Sequence, residues 1–213
     1  MSDASEAGAA NREFEALAQA WPRPLIAAGR AESLARWWCE SRRAAIELGA
    51  APFPRRAATP ALWHALFEAR RARRLCRGLE GAEAALARQE RGLLRAPATR
   101  VAPGARRISR LLVVAEDGAA RFYRQIEKLC SRHGARLEAL VLECDEVELG
   151  RAIFGPGQLA RAVLLDHKDA VVRFLEILEG SLADPQADDA DPIPGADLEE
   201  APMRAPDEGE DRR

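Results

Sequence analysis

What this chain is short of narrows its functions before any motif is found. Its apolar runs, such as 111–115 and 162–165, fall far below the roughly 20 residues needed to cross a bilayer, so no membrane span is expected. The first ten residues carry Asp3 and Glu6 with neither a basic leader nor an apolar stretch, so no secretory signal is expected and the expected location is the cytoplasm. Cys39, Cys76, Cys130 and Cys144 form no C-x-x-C pair and, with no export signal, are expected to be reduced, buried thiols. Neither G-x-G-x-x-G nor G-x-x-x-x-G-K-[ST] occurs, which argues against a nucleotide cofactor. His64, His133 and His167 lie far apart, outside any H-E-x-x-H and away from cysteine at ligand spacing. No G-x-S-x-G is present, and Ser41, Ser109, Ser131 and Ser181 lack a triad context. A non-enzymatic protein without cofactor or metal is therefore expected.

Lysine is nearly missing as well. Of 32 basic residues only Lys128 and Lys168 are lysine, and the rest are arginine, whose planar fork suits phosphates and base edges. The overall charge of −2 conceals an asymmetry. Residues 181–213 hold eleven Asp or Glu against three Arg, a balance of −8, which leaves +6 on residues 1–180. The densest positive stretch, 55–110, has fourteen arginines against four glutamates. Within it Arg70, Arg71, Arg73, Arg74 and Arg77 crowd the end of one expected helix and the turn after it. A solvated helix C-terminus explains such a cluster in isolation. On a segment this basic, a patch that neutralises nucleic-acid phosphates is the stronger reading.

With 47% apolar residues the chain can build a core. Residues 1–11 are small and polar and read as a frayed terminus. Phe14, Leu17 and Trp21 then recur at helical steps until Pro22 and Pro24 intervene. A longer helix over 31–48 carries Leu34, Trp37, Trp38, Ala45 and Ile46 largely on one side, although adjacent Trp37 and Trp38 cannot both face inward. Pro52, Pro54, Arg55 and Arg56 read as a linker, and Thr59 with Pro60 as a helix start. Downstream the pattern alternates: strand 108–115, helix 119–132, strand 137–142, short helix 145–153, loop 154–157, strand 160–165 and helix 168–178. Such βαβαβα alternation implies an α/β fold with helices on both faces of a sheet. The prolines, acidic excess and lack of aromatics after Gly180 read as a disordered tail. The expected organisation is an N-terminal helical extension over 1–58, an α/β domain over 59–180 and an acidic tail over 181–213.

Glu116, Asp117, Glu143 and Asp145 sit at expected strand ends, where carboxylates can bind magnesium, but helix caps and turns account for them more simply.

Residues 63–178 resemble the ribosomal and RNA-binding superfamily typified by archaeal L-seven-Ae, with the L-thirty-e-like proteins and the small bacterial kink-turn-protein-like branch. The resemblance is carried by Leu111-Leu112-Val113-Val114-Ala115-Glu116-Asp117, by Leu129-Cys130, by Glu148-Leu149-Gly150-Arg151-Ala152, and by Ala162-Val163-Leu164-Leu165. Upstream, Ala69-Arg70-Arg71 through Arg77-Gly78-Leu79-Glu80 resembles the family's first helix, short strand and glycine-led second helix. The resemblance implies a three-layer α/β/α sandwich with a small mixed sheet that grips structured RNA or the ribosome. Carried over by position, the gripping elements are Gly78, Glu80 and Glu83 on the helix side and residues 154–159 in the apolar loop before the last strand, Phe154, Gly155 and Gln158 among them; the arginines, Arg70, Arg71, Arg74, Arg77, Arg88 and Arg107, would meet phosphates. Where kink-turn readers carry Gly-x-Asn-Glu followed by Thr and Lys, this chain has Gly78-Leu79-Glu80-Gly81-Ala82-Glu83. Glutamate cannot supply the donors of asparagine and lysine, so a looser contact through arginine is expected. The module also resembles the front domain of knotted ribose methyltransferases, but the 33 residues after Gly180 leave no room for their catalytic domain. The competing expectation is a protein-interaction adaptor whose N-terminal helices and paired Trp37 and Trp38 dock a protein partner, on a degenerate RNA-binding-like scaffold whose acidic tail shields its own basic face.

Overall fold

The computed structural model describes residues 3–95, 107–134 and 136–183. Among them are helices α1 (Asp3–Ala20), α2 (Arg23–Ala27), α3 (Ala31–Glu47), α4 (Pro60–Arg71), α5 (Gly78–Arg95), α6 (Ala120–His133), α7 (Glu146–Phe154) and α8 (Lys168–Ala183). The strands are β1 (Arg55–Ala57), β2 (Leu75–Arg77), β3 (Arg110–Ala115), β4 (Leu137–Glu143) and β5 (Ala162–Leu165), in the spatial order β1-β4-β3-β5-β2. The β1–β4 and β4–β3 pairs are parallel, while β3–β5 and β5–β2 are antiparallel. This is an α/β sandwich around a small mixed sheet. No described helix is long and apolar enough to cross a membrane.

Strand alternation sorts the core into two layers. Leu111, Val113 and Ala115 face a large cluster built by α1–α4, α7 and α8, with Trp21, Trp38 and Phe174 among its fully buried side chains. Leu112 and Val114 face a smaller cluster that includes Ala82, Ala85 and Leu86 of α5 and Ile126 and Leu129 of α6. Because helices cover both faces, the inner strands are almost continuously apolar rather than alternating. Glu138 on β4 ties the N-terminal helices to the sheet, accepting from Arg42 at 2.8 Å and from Trp38 Nε1 at 3.3 Å. Burial raises the Glu138 pKa more than Arg42 and Trp38 lower it.

Three local expectations are revised. Residues 3–11 belong to α1 rather than to a frayed end; Ala9 and Ala10 are strong helix formers, and Asn11 donates to Glu15 one turn on at 2.7 Å. The stretch read as a linker contains β1, with Val141 N–H donating to Pro54 O. A proline lacks a donor but still offers its carbonyl to a sheet edge. Ile46 is 55% exposed, since it lies 100° around the helix from Ala45, which shares the buried stripe of Leu34 and Trp38. As expected, only one of the paired tryptophans points inward: Trp38 stacks edge-on at 5.1 Å against Trp21, while Trp37 is half-buried. Thr59 caps α4, accepting from Leu62 N–H at 3.3 Å. Residues 96–106 and most of the expected acidic tail, 184–213, lie outside the described residues.

Candidate nucleic-acid interface

The arginine cluster begins where α4 stops. Arg73 takes the left-handed conformation (φ 55°), letting Arg73 and Arg74 N–H close onto Arg70 O and Ala69 O at 2.9 and 2.8 Å. This is a Schellman-type helix stop, with arginine at the left-handed position usually reserved for glycine. It turns the chain into β2, whose last residue is Arg77, and Gly78 at φ +74° opens α5 directly after it. The antiparallel pairing of β2 with β5 sets Arg77 and Gly78 beside the loop that enters β5, and the α4 turn beside its exit, where Asp166 N–H donates to Arg74 O at 3.0 Å.

Phe154, the last residue of α7, lies against two guanidinium groups. Arg70 Cζ is 5.2 Å and Arg77 Cζ 4.9 Å from the ring centroid. Both are cation–π distances. Arg70 also donates to Ile153 O, and Arg77 donates to Gln158 Oε1 at 2.9 Å and to Leu159 O. Gly155 (φ +100°) turns the loop, and it returns so close to α7 that a Cβ on Gly150 would meet Gln158 O at 2.1 Å. Next to it an open groove of about 730 Å³ is lined by Arg77, Gly78, Leu79, Glu80, Gly81, Glu83, Phe122 and Gln125.

The residues expected to bind RNA are thus only partly gathered. Arg70 and Arg77 both meet Phe154 and Arg77 also reaches Gln158, with Gly155 in the same loop and Gly78 and Glu80 along the adjoining groove. Arg71 pairs with Glu68 at 3.3 Å and Arg74 with Asp169 at 3.6 Å, both on the surface. Arg88 is exposed on α5 and lies near enough to Cys76 on β2 to influence its ionisation. Arg107 stands apart from the others: it donates to Gln19 O at 3.0 Å and Trp21 O at 3.1 Å, bracing the end of α1. Sequence reasoning did not single out Phe122 and Gln125, which reach the groove from α6. Over forty residues separate them from Gly78 and no motif links them.

The strand-end carboxylates have other work. Arg55 binds Glu116 and lies 4.0 Å from Glu143, while Arg161 lies 2.7 Å from Glu146 and 3.8 Å from Asp117. Asp145 caps α7, accepting from Glu148 N–H at 2.7 Å, and Glu148 accepts in return from Asp145 N–H at 3.3 Å. No cluster able to hold a metal occurs among the described residues. The four cysteines are free. Burial pushes Cys76 up to about 11 and Cys130 and Cys144 to about 12, so these thiols stay protonated near neutral pH.

No protein-family model matches the chain, and no curated protein matches it. Among solved structures, a protein of unknown function from Bacillus halodurans C is similar over 55% of this chain and 96% of its own, at 18% identity and a TM-score of 0.38.

Proposed function

We propose that the protein is a non-enzymatic, cytoplasmic RNA-binding protein of the superfamily that its sequence resembles, acting on ribosomal or other structured RNA. The observation that supports this reading best is the Phe154 ring held against Arg70 and Arg77 beside the groove at Gly78. Surface arginines around it would meet phosphates, and an aromatic ring with guanidinium planes offers stacking surfaces for unpaired bases. Glu80 and Glu83 at the groove present acceptors, which favours base edges rich in N–H donors and disfavours the acceptor edge that asparagine or lysine would read.

The test is binding of a labelled structured RNA to the whole chain and to the Arg71→Glu, Arg74→Glu, Arg77→Glu variant. Affinity should drop at least about 100-fold, and the slope of log affinity against log salt should flatten by about two to three phosphate contacts. Unchanged RNA capture with an unchanged slope would end this assignment.

One observation favours the adaptor alternative. Ile46 and Leu48 at the end of α3 are 55% and 83% exposed, an apolar tip on the N-terminal helices where a protein partner would dock. An Ile46→Ser, Leu48→Ser variant that loses a partner while RNA binding persists would support it.

A further inference from the structure

The chain's positive charge is concentrated in one segment. Residues 59–110 carry twelve Arg against four Glu, a net +8, whereas residues 1–58 carry +1 and residues 111–180 carry −3. Residues 184–213 carry eleven Asp or Glu against three Arg, a net −8. Within the positive segment, Arg71, Arg73 and Arg88 are exposed around the β2 edge. Arg73 has no carboxylate partner among the described residues, and the partner of Arg71, Glu68, sits on the same helix with both side chains largely in solvent. Exposed pairs of that kind contribute little and are readily exchanged for a competing carboxylate.

Helix α8 connects the two regions. Its first turn touches the cluster, with Asp169 at 3.6 Å from Arg74, and its last turn is fastened at the opposite sheet edge, where Arg56 donates to Ser181 O at 2.9 Å. Twelve residue steps along the helix separate Asp169 from Ser181, about 18 Å. Thirty residues follow Ala183, and a chain of that length spans at most about 100 Å. The acidic segment therefore starts one helix length from the basic edge with several times the reach it needs. Tethering at this distance supplies an effective concentration on the order of millimolar.

We infer that residues 184–213 dock on the arginine-rich β2 edge of their own chain and compete there with polyanions. The contact follows from charge and reach alone; its role as a brake on RNA rests on the function proposed above.

The experiment uses the full chain with its eleven tail carboxylates changed to Asn or Gln, and a fluorescent peptide of residues 184–213 as probe. The peptide should bind at 50 mM salt, weaken at least about 10-fold at 300 mM, and weaken about 10-fold when Arg71, Arg73 and Arg88 become Glu. Replacing the same three by Lys should hold affinity within about 3-fold, because a point charge suffices for a contact of this kind. In parallel, a structured RNA hairpin should bind the neutralised chain about 10-fold tighter than the wild type at 50 mM salt. Absence of peptide binding, or peptide binding indifferent to the Glu variant, overturns the docking. Equal RNA affinity of the two chains overturns the competition. Peptide binding with no RNA binding to either chain keeps the contact and removes the RNA reading instead, whereas RNA binding without peptide binding does the reverse.

Discussion

The two edges of the sheet are built from the same materials and put to different ends. Each is a three-residue strand carrying arginine, β1 with Arg55 and Arg56 and β2 with Arg77. At the β1 edge Arg55 faces Glu116 and Glu143, and Arg56 reaches the end of α8. The edge backbone is occupied too: Ser41 Oγ accepts from Arg55 N–H at 2.9 Å and donates to Arg55 O at 3.2 Å. At the β2 edge Arg77 meets an aromatic ring, a side-chain amide and a carbonyl, with no carboxylate in contact among the described residues. Arginine count therefore says little about ligand binding. What matters is whether the guanidinium already faces a carboxylate, as Arg55 does at the β1 edge and as Arg77 does not at the β2 edge among the described residues.

The comparison can be broken most forcefully through the loop that shapes the β2 edge. Gly150→Ala places a methyl 2.1 Å from Gln158 O, backbone that cannot step aside cheaply. Overpacking of that kind should cost about 3 kcal/mol in urea unfolding, together with RNA affinity. A variant as stable as the wild type would show that the loop is not held against α7.

Next in size is the exchange of one arginine at each edge. Arg77→Ala should weaken RNA binding about 10-fold, while Arg55→Ala should leave it within about 2-fold and cost under about 1 kcal/mol of stability. Equal losses of affinity from both would dissolve the distinction between the edges. Ser41→Ala, which strips the β1 edge of both its hydrogen bonds, should destabilise by about 1 kcal/mol without touching RNA affinity.

The smallest effect is electrostatic and lies near β1. Glu138 has a raised pKa in the folded protein because burial outweighs Arg42, so the folded state holds this proton more tightly than the unfolded state. Its contribution to stability is therefore greatest at acid pH and declines as pH rises through the folded pKa. Chemical unfolding of wild type and Glu138→Gln between pH 4 and 7 should show the variant gaining relative stability as pH rises. A gain in the opposite direction would mean that the Arg42 pair dominates.

Much of this was legible in the sequence where one physical signal acted alone. The inner strands announced themselves as continuous apolar runs and Thr59-Pro60 as a cap. What escaped depended on partners distant in the chain. Strand β1 has only three residues and no pattern, and exists because β4, over eighty residues later, offers it a ladder. Arg107 looked like part of a basic patch, yet its geometry is set by two carbonyls at the end of α1. Phe122 and Gln125 belong to the groove only because α6 lies alongside α5. Local propensity cannot encode such neighbours, and the groove they complete was correspondingly harder to foresee than the cluster beside it.

The parallel pairing of β1 with β4 has a consequence for how the protein comes into being. Translation releases Trp21 and Trp38 long before β4 and α8, yet both rings are fully buried in the cluster those later elements complete. Contacts so distant along the chain form slowly. During synthesis the N-terminal third therefore waits for the later strands and helix that complete the burial of these two rings.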